Sequence, residues 1–321
     1  MITTTNNGSY PWADSEAGAD LRRAVEQGLA DDAVRALKDR VTRQVIDEQL
    51  AAGIDLPSDG LVLQDDPLRP LAALSGIRRG EIRDRFPGTR RSYASATAVA
   101  ELSFSSPASV EDFLFAAGDG KVPVKVVMTG PFSIGKVVED ETYGDPMALT
   151  MALAIAMNQE LRALQAAGAT FIQVNEPALA LHPGECPVFT RIWEVLGRGV
   201  SATLALHLPA RDLTELYPAL KRLKRLGCLS LDATPGMAGL ELLAADPPPE
   251  PTRLSLGLVD GGSAGVESAA DIVERLRPLI AGLPPERVLI GTASDLGSLP
   301  RTTAAAKLRS LVEAARSLAR G

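Results

Sequence analysis

One unit recurs along this chain and limits what it can become. A short, nearly continuous apolar run is followed by a polar or Gly/Pro-rich corner, then by an Ala/Leu/Arg-rich stretch with helical periodicity. The runs are VKVVMTG (124–130), TFIQVNE (170–176), ATLALHL (202–208), CLSLDA (228–233), RLSLGLVD (253–260) and VLIGTAS (288–294). Strands that are apolar on both faces belong to parallel sheets covered on both sides. Two earlier runs, ITTTNNGS (2–9) and IDLPSDGLVL (54–63), bring the expected strands to eight, each followed by helix. The helical stretches include 15–53, expected to break near Gly28, then 212–227 with an Asp212 cap, 268–283 and 302–318. The most apolar window, 147–157, follows Asp145-Pro146, which reads as a helix start. Eight such units imply an α/β chain forming a (β/α)8 TIM barrel, one domain over 1–321, with an N-terminal helical extension and a hairpin insertion near 90–106. A doubly wound open sheet is the alternative, but no GxGxxG turn accompanies these strands.

Composition narrows the function. Lys plus Arg number 33 against 40 Asp plus Glu, a net charge of −7, and aromatics are only 4%. Neither the basic footprint nor the stacking platforms of a nucleic-acid binder are present. No run of 18 apolar residues offers a membrane span, and MITTTNNGSYPW lacks the basic and apolar regions of a signal peptide. Two cysteines, Cys186 and Cys228, make no disulfide framework and fit a reducing, cytoplasmic setting.

A barrel carries its active site at the C-terminal ends of its strands. Those ends hold Ser9, Asp59, Asn175 and Glu176 in the first half, then His207, Asp232, Asp260 and Ser294. Polar residues end many strands simply because loops are wet. Glu176 and His207 stand out because they close otherwise apolar runs. Two carboxylates near an imidazole would raise its pKa and suit it to acid–base work, with Glu176, Asp232 and His207 as the catalytic group. Ser9, Asn175, Asp59, Asp260 and Ser294 are the candidates for substrate binding. The Arg pairs at 22–23 and 90–91 read as solvated faces or ion pairs rather than ligand clamps, and Asp65-Asp66 as either mouth residues or caps.

Several of these segments resemble the catalytic barrel of cobalamin-independent methionine synthase and its short archaeal-type relatives, within the superfamily that includes uroporphyrinogen decarboxylase. They are GSYP (8–11), GIDLPSDG (53–60), MTGPFSI (128–134), IQVNEPALA (172–180), LALH (204–207), LSLDA (229–233) and LPR (299–301), in that order over nearly the whole chain. The most specific is IQVNEPAL, where the family reads IQxDEPAL. The resemblance implies methyl transfer from a methylated folate to the thiol of homocysteine, with zinc binding the thiol as thiolate.

The departures fall on the residues that matter. The family's zinc ligands map to His207, Pro209, Asp232 and Ser294, so two thiolates are missing and zinc is poorly provided for. The carboxylates that hold the ammonium group of homocysteine map to Asn175 and Leu61. The family's histidine proton donor is lost in Asp260-Gly261-Gly262-Ser263, and its folate-stacking aromatic falls near Val137. His182, Cys186 and His207 could form a replacement three-ligand site, or the first two could be stray loop residues. Cys228 starts its strand, at the wrong end of the barrel, and reads as packing. The expected function is a methyl or one-carbon transferase with an altered small-molecule acceptor. A metal-free lyase or decarboxylase and a non-catalytic partner subunit are the alternatives. A methyl-donor protein or second subunit could replace the second barrel that long family members carry.

Overall fold

The computed structural model describes every residue except 65, 84, 90, 119, 210, 211 and 319–321. The readings placed on Asp65 and Arg90 therefore lie outside the described residues. The chain opens with β1 (Thr3–Thr5) and two helices, α1 (Glu16–Glu26) and α2 (Asp31–Ala52). Ser15 caps α1 by accepting from the Gly18 amide, and the expected break falls at Gly28, whose φ of 62° suits a residue without Cβ. An antiparallel pair follows, β2 (Leu74–Arg83) and β3 (Tyr93–Phe104), then α3 (Val110–Ala117). Next come β4 (Val126–Thr129), α4 (Pro131–Gly135), β5 (Glu139–Asp140), α5 (Pro146–Ala166), β6 (Phe171–Asn175) and α6 (Cys186–Leu196). The remainder alternates: β7 (Thr203–Leu208), α7 (Tyr217–Leu220), β8 (Cys228–Asp232), α8 (Leu240–Ala245), β9 (Arg253–Val259), α9 (Ala269–Ile280), β10 (Val288–Thr292) and α10 (Arg301–Leu318). As the sequence suggested, α5 starts at Asp145, which caps it through the Met147 amide; Ser268 likewise caps α9.

Seven strands form one parallel sheet in the order β1-β10-β9-β8-β7-β6-β4. The expected strand at 54–63 is reduced to two parallel bridges, Thr5 with Leu56 and Ser58 with Lys125. These join the two edge strands and curl the sheet into the barrel. Pro57 has no N–H to give a ladder, and Leu61 and Leu63 take positive φ (52° and 55°), so the chain is already turning where a strand was expected.

Two further expectations are corrected. The 90–106 segment is only one arm of the hairpin. Its partner β2, LSGIRRGEIR, is mostly exposed and carries no alternating apolar signal, which hid it. The 212–227 segment is not one helix, since only Tyr217–Leu220 is helical. Asp212 bridges Ala238 instead of capping, and its carboxylate accepts from the Thr214 amide (2.8 Å). Pro218 removes a helical donor, and i→i+3 bonds such as Leu223 N–H to Leu220 O make a run of short turns.

The barrel interior is layered. Its floor is a small apolar plug of Phe171, Ala205, Cys228 and Leu289, with Leu56 packed against it. Cys228 is thus packing, and burial pushes its thiol up to about 12. Helices cover the outside through the main core, around Trp193, Phe189 and Tyr217. Among the described residues no helix is long and apolar enough to cross a membrane.

Candidate active site

Above the floor the interior turns polar, and its centre is a residue that the sequence reading passed over. Lys125 is 1% exposed. Its Nζ donates to Asn7 Oδ1 (3.0 Å) and Gln173 Oε1 (2.7 Å). Burial brings its pKa down to about 7. A lysine inside the apolar run VKVV was the available signal. Gln173 Nε2 donates to the backbone carbonyl of Asn7 (3.1 Å) and to Asn175 Oδ1 (2.8 Å). Asn7 Nδ2 donates to Thr292 O (2.6 Å) and Ser230 Oγ (3.3 Å). One network therefore ties the first strand's exit to β6, β8 and β10.

His207 completes that network. In register it pairs with Asn175 on one side and Ser230 on the other. It is 4% exposed, and its Nδ1 lies 3.0 Å from Ser230 Oγ. Because Asn7 already donates to that serine, the hydroxyl proton is available to Nδ1, which favours the Nε2–H tautomer. The expectation that flanking carboxylates raise the pKa of His207 is overturned. Burial, then the nearby Lys125 charge, lower it to about 3, so the ring is neutral at physiological pH.

Glu176 is placed differently from its expected role. It is fully buried, and its Oε1 and Oε2 accept from the backbone amides of Phe132 (3.1 Å) and Ser133 (2.7 Å). Burial still pushes its pKa up to about 7 against those bonds. Its charge is directed at the first turn of α4 rather than at His207. Gly130 permits the approach, since a Cβ there would lie 2.1 Å from Glu176 Oε1.

The other strand ends gather at the same mouth because all the strands are parallel. Ser9 N–H donates to Asp295 Oδ1 (2.9 Å), next to Ser294. Ser294 Oγ is 2.8 Å from where a Cβ on Gly261 would sit, so the 260–262 corner adjoins it. Asp232 accepts through Oδ1 from both the amide and the hydroxyl of Thr234 (2.7 Å each). Asp59 and Asp260 bend their own turns: Asp59 accepts from Leu61 N–H (3.0 Å) and Gln64 Nε2 (2.8 Å), and Asp260 from Gly262 N–H (2.8 Å). Burial raises the pKa of Asp59.

The hairpin walls one side of this mouth. A cleft between it and β4 is lined by Leu61, Gln64, Asp66, Arg91, Thr129 and Asn175, among others. Of the two readings for Arg91, the ion pair fits: it is part-buried there, pairs with Asp295 (3.9 Å) and donates to Gln64 O (2.6 Å). Asp66 serves both roles weighed for it. It lines the cleft, accepts from Leu68 N–H (2.8 Å) and pairs with Arg79 of β2.

The residues present do not fit zinc. Pro209 has no donor atom, Ser294 offers only a hydroxyl, and the Nδ1 of His207 is engaged by Ser230. The alternative triad is not assembled either. His182 is exposed and pairs with Glu185 (3.5 Å), whereas Cys186 is buried at the start of α6, where burial raises its pKa. Among the described residues no three His, Cys, Asp or Glu side chains cluster as a metal site.

Residues 1–317 match the family described as the catalytic domain of cobalamin-independent synthase. The methionine synthase of Saccharolobus solfataricus is 29% identical, covering 98% of this chain and 93% of its own. That of Pyrococcus abyssi is 28% identical, covering 98% and 92%. Among solved structures, a B12-independent methionine synthase from Shewanella sp. W3-18-1, in complex with selenomethionine, superposes with a TM-score of 0.85 at 20% identity, covering 100% of this chain and 98% of its own. At that identity it establishes the fold, a TIM-barrel-like α/β architecture.

Proposed function

Because this chain belongs to the cobalamin-independent synthase catalytic-domain family, we propose that it is a methyl (one-carbon) transferase with a changed acceptor. A methylated folate, or a methylated partner protein or second subunit, supplies the methyl group, and the acceptor is a small molecule bound at the barrel mouth. The observation that carries the reading is the pairing of a kept frame with a changed donor set. His207 and Asp232 remain at neighbouring strand ends, while Pro209 and Ser294 stand where the resemblance places two thiolates.

The chain's own groups suit a reaction without a zinc-bound thiolate. Asp232 can accept a proton from the acceptor's nucleophilic atom, since Thr234 occupies only its Oδ1. His207 acts as a neutral hydrogen-bonding group through Nε2. Ser9 and Asn175 orient the acceptor, and Glu176 holds the α4 turn that forms the rim between them.

The test follows donor consumption. The purified protein is given methyltetrahydrofolate with homocysteine, then with a panel of other thiol and non-thiol acceptors. Donor turnover is expected only with an acceptor other than homocysteine. Robust methionine formation by the isolated chain would overturn the reading, and turnover of one substrate with no methyl donor would replace it with a lyase.

A further inference from the structure

The orientation of one amide decides what the mouth can hold. Gln173 Nε2 faces the backbone carbonyl of Asn7 at 3.1 Å, an atom that can only accept. That fixes which end of the Gln173 amide is nitrogen, whatever the protonation of Lys125 on its other side. The second proton of Nε2 then goes to Asn175 Oδ1 at 2.8 Å, which fixes the Asn175 amide in turn. Its oxygen is held inward and its Nδ2 is left toward the cleft that Asn175 lines. Among the described residues nothing in the protein accepts from that nitrogen. The same cleft holds the guanidinium of Arg91, anchored on Gln64 O, and the apolar side chain of Leu61. Its described carboxylate, Asp66, is already engaged by Arg79 and the Leu68 amide. The walls therefore offer donors to whatever enters: the Asn175 amide, and a guanidinium that also pairs with Asp295 (3.9 Å).

We infer that the acceptor is a small carboxylic acid carrying an oxygen, not an ammonium group, where it meets Asn175: a 2-hydroxy or 2-oxo acid rather than an amino acid. An ammonium at that point would face the N–H donor of Asn175 with a guanidinium in the same cleft, and would gain no hydrogen bond from Asn175 for the hydration it loses there. A hydroxyl, carbonyl or carboxylate oxygen accepts from Nδ2 and gains from Arg91. Asn175 is here a specificity-determining residue, and Gln173 and Asn7 are the positioning residues that set its polarity. The inference rests on the transferase reading for the name "acceptor", but the binding preference stands on the cleft alone.

The test measures binding with no methyl donor present, by isothermal titration. The probes are 2-hydroxy-4-mercaptobutanoate and L-homocysteine, which differ in one group. The wild-type chain is expected to bind the hydroxy acid at least about tenfold more tightly, as one charge-sensitive hydrogen bond implies. Asn175→Asp, which puts an acceptor in place of the donor, should shift the ratio toward the amino acid by about tenfold or more. Asn175→Ala should bring the two affinities close together. Equal or tighter homocysteine binding by the wild type, or no binding of either probe at millimolar concentration, would overturn the inference without any variant. A ratio unmoved in a folded Asn175→Asp protein would do the same. Hydroxy-acid binding followed by no methyl transfer on adding a donor would uphold the subsite and defeat the transferase reading.

Discussion

Replacing Lys125 by methionine should change how the stability of this protein depends on pH, in a direction the structure fixes. Lys125 is a base whose pKa in the folded barrel is about 7, below its ordinary 10.5. The unfolded chain therefore holds a proton between those values that the folded chain has given up. Stability contributed by this group is present at high pH and is lost as pH falls toward 7. The slope approaches ~1.4 kcal/mol per pH unit, and the full window is worth about 5 kcal/mol. Lys125→Met keeps the apolar stem and removes the titrating nitrogen. It also strands Asn7 Oδ1 and Gln173 Oε1, at about 1–3 kcal/mol each, but that cost does not vary over this pH range. The assay is urea unfolding of both proteins at pH 7, 8 and 9, read as the difference in unfolding free energy. That difference should move by about 2 kcal/mol in favour of the wild type between pH 7 and pH 9. Other titrating groups cancel in the comparison. Parallel curves would refute the placement of a proton-shedding lysine inside the barrel. The Asn7 carbonyl still orients Gln173 in the variant, so its preference between the two probe ligands should persist.

The remaining predictions are shorter. Glu176 has a raised pKa of about 7 against an ordinary 4.5, so the wild type should lose about 2 kcal/mol of stability from this group as pH rises from 5 to 7, and Glu176→Gln should abolish that fall; urea titrations at the two pH values decide it, and a slope that survives in the variant counts against the buried carboxyl. Gly130→Ala should destabilise by about 1–3 kcal/mol in thermal or urea unfolding, because its Cβ would sit 2.1 Å from Glu176 Oε1; a variant as stable as wild type would show that the α4 turn is not held this closely. Elemental analysis of the protein as purified should find zinc well below one equivalent, since Pro209 and Ser294 cannot stand in for thiolates; stoichiometric zinc lost in Cys186→Ala would instead reveal a recruited site.

The sequence by itself determined the architecture and the strand ends at which the candidate site residues lie. Runs such as VLIGTAS and CLSLDA are apolar at nearly every position, and only a strand covered on both faces uses such a pattern, so β10 and β8 begin at Val288 and Cys228, where the runs begin. Local chemistry also marked the helix start at Asp145, because a cap is made with neighbours in the chain. What the sequence could not decide depends on residues far apart in it. Strand 54–63 dwindled to two bridges because its pairing with Thr5 and Lys125 had to compete with the turn chemistry of Pro57 and Asp59. The exposed strand β2 has no core face to leave a pattern, and is defined only by its partner β3. Charge state is the clearest case. The carboxylates near His207 in strand order led to an expected rise in its pKa, but burial and Lys125, 82 residues away in the chain, lower it instead. Glu176 and His207 close neighbouring strands, and only the folded loop shows the carboxylate turned onto the Phe132 and Ser133 amides. The polarity of Asn175 is likewise written in Gln173 and in the carbonyl of Asn7, 168 residues earlier. Periodicity reports which face of an element is buried, whereas protonation and amide orientation are set by the atoms that tertiary packing brings within hydrogen-bonding distance.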